Sequence, residues 1–276
     1  MYLFYKTFPE LKEIIHYIVK SGICDVVTIF GSSITNENPH DYDVNLFVYE
    51  RFMPDKFYEL VAIMREIEEK YFDVSCGFGP RQGRKKRAKY NLSLFFSSPL
   101  SLKYDTLVYI GIMNNHVKLY GRKDPFKNIK LPDKDYLANE LAFAILRKKS
   151  NPYNVMKYLI RSALLYCGKY IRDNDEMVLF FENEFSYILP ENLRKLFENE
   201  EYRDEKQSDE LYKLYKLIIK RIGIKEVEYA PLSEEFELLN KLYFSFGNYW
   251  RDNKIDKINV LVEDYQRIFE KEVKKS

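Results

Sequence analysis

"TIFGSSITNENPHDYDVNLFV", Thr28 to Val48, decides how this chain reads. One apolar run ends at Gly31-Ser32, eight mostly polar residues follow, and Asp41-Tyr42-Asp43-Val44 opens a second apolar run. Both runs are rich in β-branched and aromatic residues and predict strands. Side chains alternate across a strand, so Asp41 and Asp43 share one face while Tyr42 and Val44 point into a core. Two carboxylates so placed repel unless a cation sits between them, and oxygen-only ligands suit Mg²⁺, with Mn²⁺ as the substitute. Gly31 lets the backbone approach an anion closely, and the N–H groups of Ser32 and Ser33 can form an anion-binding turn, with the Ser32 hydroxyl as a further donor. A metal-binding pair beside a phosphate cradle points to a nucleoside triphosphate. The plainer alternative is an exposed strand start after a polar loop.

Outward from this stretch, "FPELKEIIHYIVK" before Ser21-Gly22 has helical periodicity, and Pro54–Lys70 reads as an amphipathic helix. "YFDVSC" and "YNLSLFF" predict two more strands, Pro99–Met113 a helix, and "HVKLY" a last short strand before Gly121. Residues 122–132, with two prolines and four cations, form the candidate linker. Beyond it the strand signals fade. Helical segments are expected near 133–149, 151–171, 175–187, 190–200, 205–222, 231–247 and 255–275.

Phe30-Gly31-Ser32, a spacer, then Asp41-Tyr42-Asp43-Val44 resembles the signature of the polymerase-β-type nucleotidyltransferase superfamily. The element order of about the first 120 residues and "VKLYG" (Val117–Gly121) are similar to its small and antibiotic-modifying members. The resemblance implies an α+β fold: a nucleotidyltransferase-type mixed sheet with flanking helices over residues 1–125, the catalytic domain, then a C-terminal all-α helical bundle over residues 126–276 that binds substrate or acts as an accessory. It also implies two-metal chemistry. Asp41 and Asp43 hold two Mg²⁺, Asp73 in "YFDVSC" is the third carboxylate, and Gly31, Ser32 and Ser33 cradle phosphate. A nucleoside monophosphate then moves from an NTP such as ATP to a hydroxyl or amine, releasing pyrophosphate. Where many members continue with an Ala-Arg-Gly-like run, this chain has Ser33-Ile34-Thr35. Asn45, on the face of the aspartates, is expected to hydrogen-bond a carboxylate. The alternative within the same fold is a non-catalytic nucleotide- or RNA-binding regulatory module.

The 276 residues carry a formal net charge of +2, which favours no partner class by itself. Its basicity is local: six of the 44 Lys and Arg residues lie between Arg81 and Lys89. This loop either contacts triphosphate or nucleic acid, with Lys89 the candidate ligand, or is a solvated connection between strands. Lys157 and Arg161 share a helix face at i, i+4; Arg161 is the helical region's candidate for phosphate contact, against ordinary surface cations. Three scattered cysteines make neither a disulfide framework nor a zinc site, and three scattered histidines add no metal spacing. A cytoplasmic setting is expected, without membrane contact. The expected partners are an NTP and a small-molecule acceptor or RNA, with homodimerisation open.

Overall fold

The computed structural model describes residues 2–37, 39, 41–49, 55–79, 83, 85, 87–104, 106–171, 173–230 and 233–273. Two short helices, α1 (Leu3–Thr7) and α2 (Leu11–Ser21), precede β1 (Val26–Phe30). Gly22 ends α2 in the left-handed conformation at φ 74°, a helix stop that a side chain would strain. A 3₁₀ turn, Gly31–Ile34, leads towards β2 (Tyr42–Phe47). Then come α3 (Lys56–Lys70), β3 (Val74–Phe78), β4 (Tyr90–Ser97), α4 (Pro99–Tyr104), α5 (Thr106–Met113) and β5 (His116–Tyr120). The rest is helical: α6 (Lys134–Leu146), α7 (Pro152–Tyr166), α8 (Asn174–Phe185), α9 (Glu191–Glu198), α10 (Gln207–Ile222), α11 (Glu234–Arg251) and α12 (Ile255–Val273). Among the described residues, no helix is long and apolar enough to cross a membrane.

The strands form one mixed sheet in the order β3-β4-β2-β1-β5. β1 runs antiparallel to β2 and to β5, whereas β2/β4 and β3/β4 are parallel. One face carries the main core: Val27 and Ile29 of β1, Val44 and Leu46 of β2, and Leu92 and Leu94 of β4 pack with Phe8 at the end of α1 and with Ile14, Phe57 and Leu60 from the helices. On the other face a smaller cluster of Val26, Phe47, Tyr109, Ile112 and Phe126 covers part of β1 and β2. The α+β expectation therefore holds, with a mixed sheet and flanking helices followed by a helical region.

The parallel pairing of β3 with β4 gives the basic loop a structural duty. Parallel strands need a crossover, because the chain must return to the starting end of the sheet. Lys85 anchors that return: its Nζ donates to the Glu68 and Phe72 carbonyls at the C-terminal end of α3, at 2.5 and 3.2 Å, and its N–H donates to Ser75 Oγ at 2.9 Å. A cation at a helix C-terminus offsets the exposed carbonyl dipoles there. Arg81, Arg84 and Lys86 of this loop, like Pro54 of the expected helix, lie outside the described residues.

The chain divides into two compact units, one of residues 1–129 with 232–276 and one of residues 130–231. The expected boundary at 125/126 assigns all later helices to one bundle, whereas α11 and α12 pack in the sheet unit. Leu242, Phe246 and Trp250 recur every four residues on α11 and are fully buried in the main core. Phe246 meets the rings of Phe57 and Phe78 at 4.7 Å each, and Trp250 Nε1 donates to the Cys76 carbonyl of β3 at 2.7 Å. An apolar stripe with period four suits a sheet as well as a helix, so the sequence pattern cannot choose its partner. In the second unit, α7 packs with α6, α8, α9 and α10. Asn139 of α6 exchanges two 2.8 Å hydrogen bonds with the backbone of Ala230, tying the end of this unit to its first helix.

Trp250 is the chain's one tryptophan and sits in the sheet unit. Trp250→Ala should cost about 3–5 kcal/mol of that unit's stability in urea unfolding. In the wild type, the loss of Trp250 emission and the exposure of the buried Cys76 thiol to a thiol reagent should share one midpoint. Separate midpoints would place Trp250 outside the sheet core.

Candidate active site

The β1/β2 register places Phe30 opposite Asp43. Gly31, at φ +80°, therefore turns away from the strand beside that carboxylate. A Cβ built on Gly31 would stand 2.5 Å from Asp43 Oδ2, so the position needs glycine twice, for its backbone and for this approach. Tyr42 and Val44 are buried in the core, which leaves Asp41, Asp43 and Asn45 on the opposite face as the alternation predicts. Asp41 and Asp43 are half-buried. The structure thus brings together Gly31, Asp43 and Asp41, with Ser32 half-buried in the next position.

Ser33 adds a structural role to the N–H expected of it. Its side chain is fully buried and its hydroxyl donates to the Phe30 carbonyl at 3.2 Å, so it braces the turn from within and leaves only its backbone N–H as a possible anion donor. A residue the sequence reading missed holds the turn from the other side: Asn115, just before β5, donates from Nδ2 to the Gly31 carbonyl at 3.3 Å. Nothing in the local sequence marks Asn115, because it reaches Gly31 through strand pairing, β5 lying beside β1. In the same region His116 Nε2 and Asp124 Oδ2 are 2.8 Å apart.

Asn45 does not have the carboxylate partner expected of it. Its Oδ1 accepts from Ser97 Oγ at 2.7 Å, while its Nδ2 and the Oγ1 of its cross-strand neighbour Thr28 are buried with no hydrogen-bond partner among the described residues. The register supplies the reason. Phe30, level with Asp43 on β1, and Phe95, level with Asn45 on β4, meet edge to face at 5.3 Å across β2. Two rings so placed separate the half-exposed carboxylate from the buried amide.

Asp73 does not join the other two aspartates. It precedes β3 in an exposed turn, and β4 lies between β3 and β2. Two strand spacings put it about 10 Å across the sheet from β2. Its carbonyl accepts from the Tyr90 N–H at 2.9 Å, a link that starts the β3/β4 pairing. Among the described residues no group of three or more His, Cys, Asp or Glu side chains is placed to hold a metal. Lys89 is exposed and its Nζ lies 4.8 Å from the Tyr90 ring centre. Tyr90 pushes its pKa up by a side-chain hydrogen bond and by charge, with smaller contributions from Asp73 and Glu10. Lys89 thus belongs to the Asp73 corner of the sheet.

Arg161 lies on α7 of the helical unit, one turn after Lys157. This face is no ordinary solvated surface. Lys157 Nζ donates to the buried Tyr153 hydroxyl at 2.7 Å and lies 5.0 Å from its ring centre. Burial, then the Arg161 charge, push the Lys157 pKa down to about 8, against the opposing charge of Glu200.

The sequence matches no family profile and no curated protein. Among solved structures it is similar to the spectinomycin adenyltransferase AAD(9) from Enterococcus faecialis, crystallised with ATP and spectinomycin. Identity is 13%, the match covers 78% of this chain and 98% of that one, and the TM-score is 0.49. Likeness at that level says nothing of activity, so the chemistry has to come from the site itself.

Two outcomes test this geometry. Gly31→Ala should destabilise the sheet unit by at least about 1–2 kcal/mol, since a left-handed alanine is strained by that much and its methyl would collide with the Asp43 carboxylate. Urea unfolding followed by Trp250 emission measures it, and wild-type stability would contradict the close approach. Lys157→Met addresses the other cluster. A lysine pKa lowered on folding means that the unfolded chain binds more protons between pH 8 and 10.5, so this group's penalty is fully present at pH 7 and fades as pH rises through that window. The variant's melting temperature relative to wild type should therefore be highest at pH 7 and fall towards pH 10. A pH-independent difference would remove the buried cation from the account.

Proposed function

We propose that the chain is a nucleotidyltransferase, moving a nucleoside monophosphate from an NTP to an acceptor hydroxyl or amine. The observation that carries this reading is the approach of the Asp43 carboxylate to Gly31, so close that a Cβ there would stand 2.5 Å from Oδ2, which joins a phosphate-binding type of turn to a same-face carboxylate pair. The donor set fits Mg²⁺, a hard cation commonly held by one or two carboxylates together with substrate phosphates. Asp41 and Asp43 would hold it. Bound there, Mg²⁺ would neutralise phosphate charge and polarise the α-phosphorus towards attack.

The chain's own residues then have defined tasks. Gly31 and the Ser32 N–H and hydroxyl bind phosphate oxygens, while Ser33 and Asn115 keep the turn in shape. The acceptor oxygen or nitrogen bonds to the α-phosphorus as the bond from that phosphorus to the α,β-bridging oxygen breaks. Pyrophosphate leaves with the bonding electrons, and the acceptor's proton passes to solvent. ATP is the first donor to try. The acceptor is a small molecule or RNA; an RNA acceptor would bind with affinity falling steeply as salt rises.

The placement of Asp73 favours a second reading, a nucleotide- or RNA-binding regulatory module without turnover. Pyrophosphate release from labelled NTPs separates the two. Release should require Mg²⁺ and drop by about 10²–10³-fold in Asp43→Asn, the scale expected when one preorganised electrostatic group is lost. Equal nucleotide binding by wild type and variant, with no release towards any acceptor, would establish the regulatory reading.

A further inference from the structure

β4 is the parallel neighbour of β2, with Tyr42 opposite Leu92, Asp43 opposite Ser93 and Val44 opposite Leu94. Leu92 and Leu94 are fully buried in the main core, so Ser93 faces the other way, with Asp43. Along the strand Asp43 has Asp41 on one side and, on the other, the Phe30–Phe95 ring pair that closes it off from Asn45. Across the sheet it has Gly31 beside β1 and Ser93 on β4. Ser93 is 6% exposed and lies beside Asp43 in a continuous ladder. One residue earlier on the same face, Asn91 stands level with Asp41 and opposite Ser75 of β3. The strand beside the carboxylates thus presents two neutral oxygen-bearing side chains.

We propose that Ser93 supplies a neutral oxygen ligand to the divalent cation held by Asp41 and Asp43, the role the sequence resemblance gives to the carboxylate of Asp73. The inference rests on the nucleotidyltransferase reading. Two carboxylates already balance the charge of one Mg²⁺, and that ion accepts hydroxyl, carbonyl and water oxygens as readily as further carboxylates. Of the two oxygen-bearing side chains on that face of β4, Ser93 is the one in register with Asp43 itself. Asp73 would have to cross β4 to reach it. A serine also leaves the site with one negative charge fewer than a third carboxylate would give, which weakens the hold on a second cation.

Mn²⁺ binding in the presence of a non-hydrolysable NTP analogue, followed by the electron paramagnetic resonance of free Mn²⁺, tests this without requiring turnover. Ser93→Ala should weaken Mn²⁺ binding by about tenfold, the lower end of what loss of a supporting group at a metal site costs. Ser93→Asp should tighten it. Ser93→Cys keeps nearly the same volume and replaces oxygen with a soft sulfur ligand, so it should shift preference from Mn²⁺ towards Cd²⁺, a change that a packing role would not produce. The Cys variant also carries the test if the Ala variant folds poorly. Wild-type Mn²⁺ affinity and unaltered Mn²⁺/Cd²⁺ preference in all three variants, with binding lost in Asp43→Ala, would overturn the role of Ser93 alone. Absence of Mn²⁺ binding in the wild type, unchanged by Asp43→Ala, would sink the parent reading instead.

Discussion

The rest of the site depends on one steric constraint, the approach of the Gly31 backbone to the side chain of Asp43. It ties three things together: a β1/β2 register that sets Phe30 against Asp43, a residue without a Cβ immediately after β1, and a left-handed backbone there. A slip of one residue in that register would turn Tyr42 and Val44 to the open face and bury both aspartates. The apolar partners of Tyr42 and Val44 in the main core prevent it, so the packing of one face of the sheet fixes the chemistry of the other.

That other face is divided by its own aromatic residues. On one side of the Phe30–Phe95 pair lie the half-exposed aspartates, and on the other Thr28, Asn45 and Ser97, all buried. A buried polar atom without a partner costs about 1–3 kcal/mol. Thr28 Oγ1 and Asn45 Nδ2 form such a pair on neighbouring strands, in a unit whose core is otherwise strongly apolar. Local stability has been given up on the same face of the sheet as the carboxylates, beyond the ring pair, a pattern common near functional sites.

Much of this was legible in the residues. β-branched runs flanking a Gly-Ser turn gave β1 and β2, the alternation put Asp41 and Asp43 on one face, and "HVKLY" matches β5 over His116–Tyr120. What could not be read was adjacency. Chain order suggests β3 as the next strand after β2, but the crossover through the basic loop inserts β4 between them, separating Asp73 and bringing Ser93 alongside Asp43. The Phe30–Phe95 pair depends on that insertion, and Asn115 on a second non-local pairing, of β5 with β1. Lys157 shows a different limit. At i, i+4 from Arg161 it reads as a surface cation, and only the tertiary contact with Tyr153 reveals that it is partly desolvated.

The position of α11 and α12 bears on how the molecule comes into being. Every residue assigned to the sheet site lies before β5, yet the face opposite those residues is completed by Phe246 and Trp250, and the bond from Trp250 to Cys76 joins positions 174 residues apart. Contacts so distant along a chain form slowly, because the ends must first find one another. The reciprocal bonds of Asn139 with Ala230 shorten that search, since folding of residues 130–231 returns the chain to where it departed and converts a long excursion into a short effective loop. During synthesis from the N-terminus the helical unit can therefore fold while the sheet still waits for its last two helices. The aspartates are made well before the helices that complete their unit.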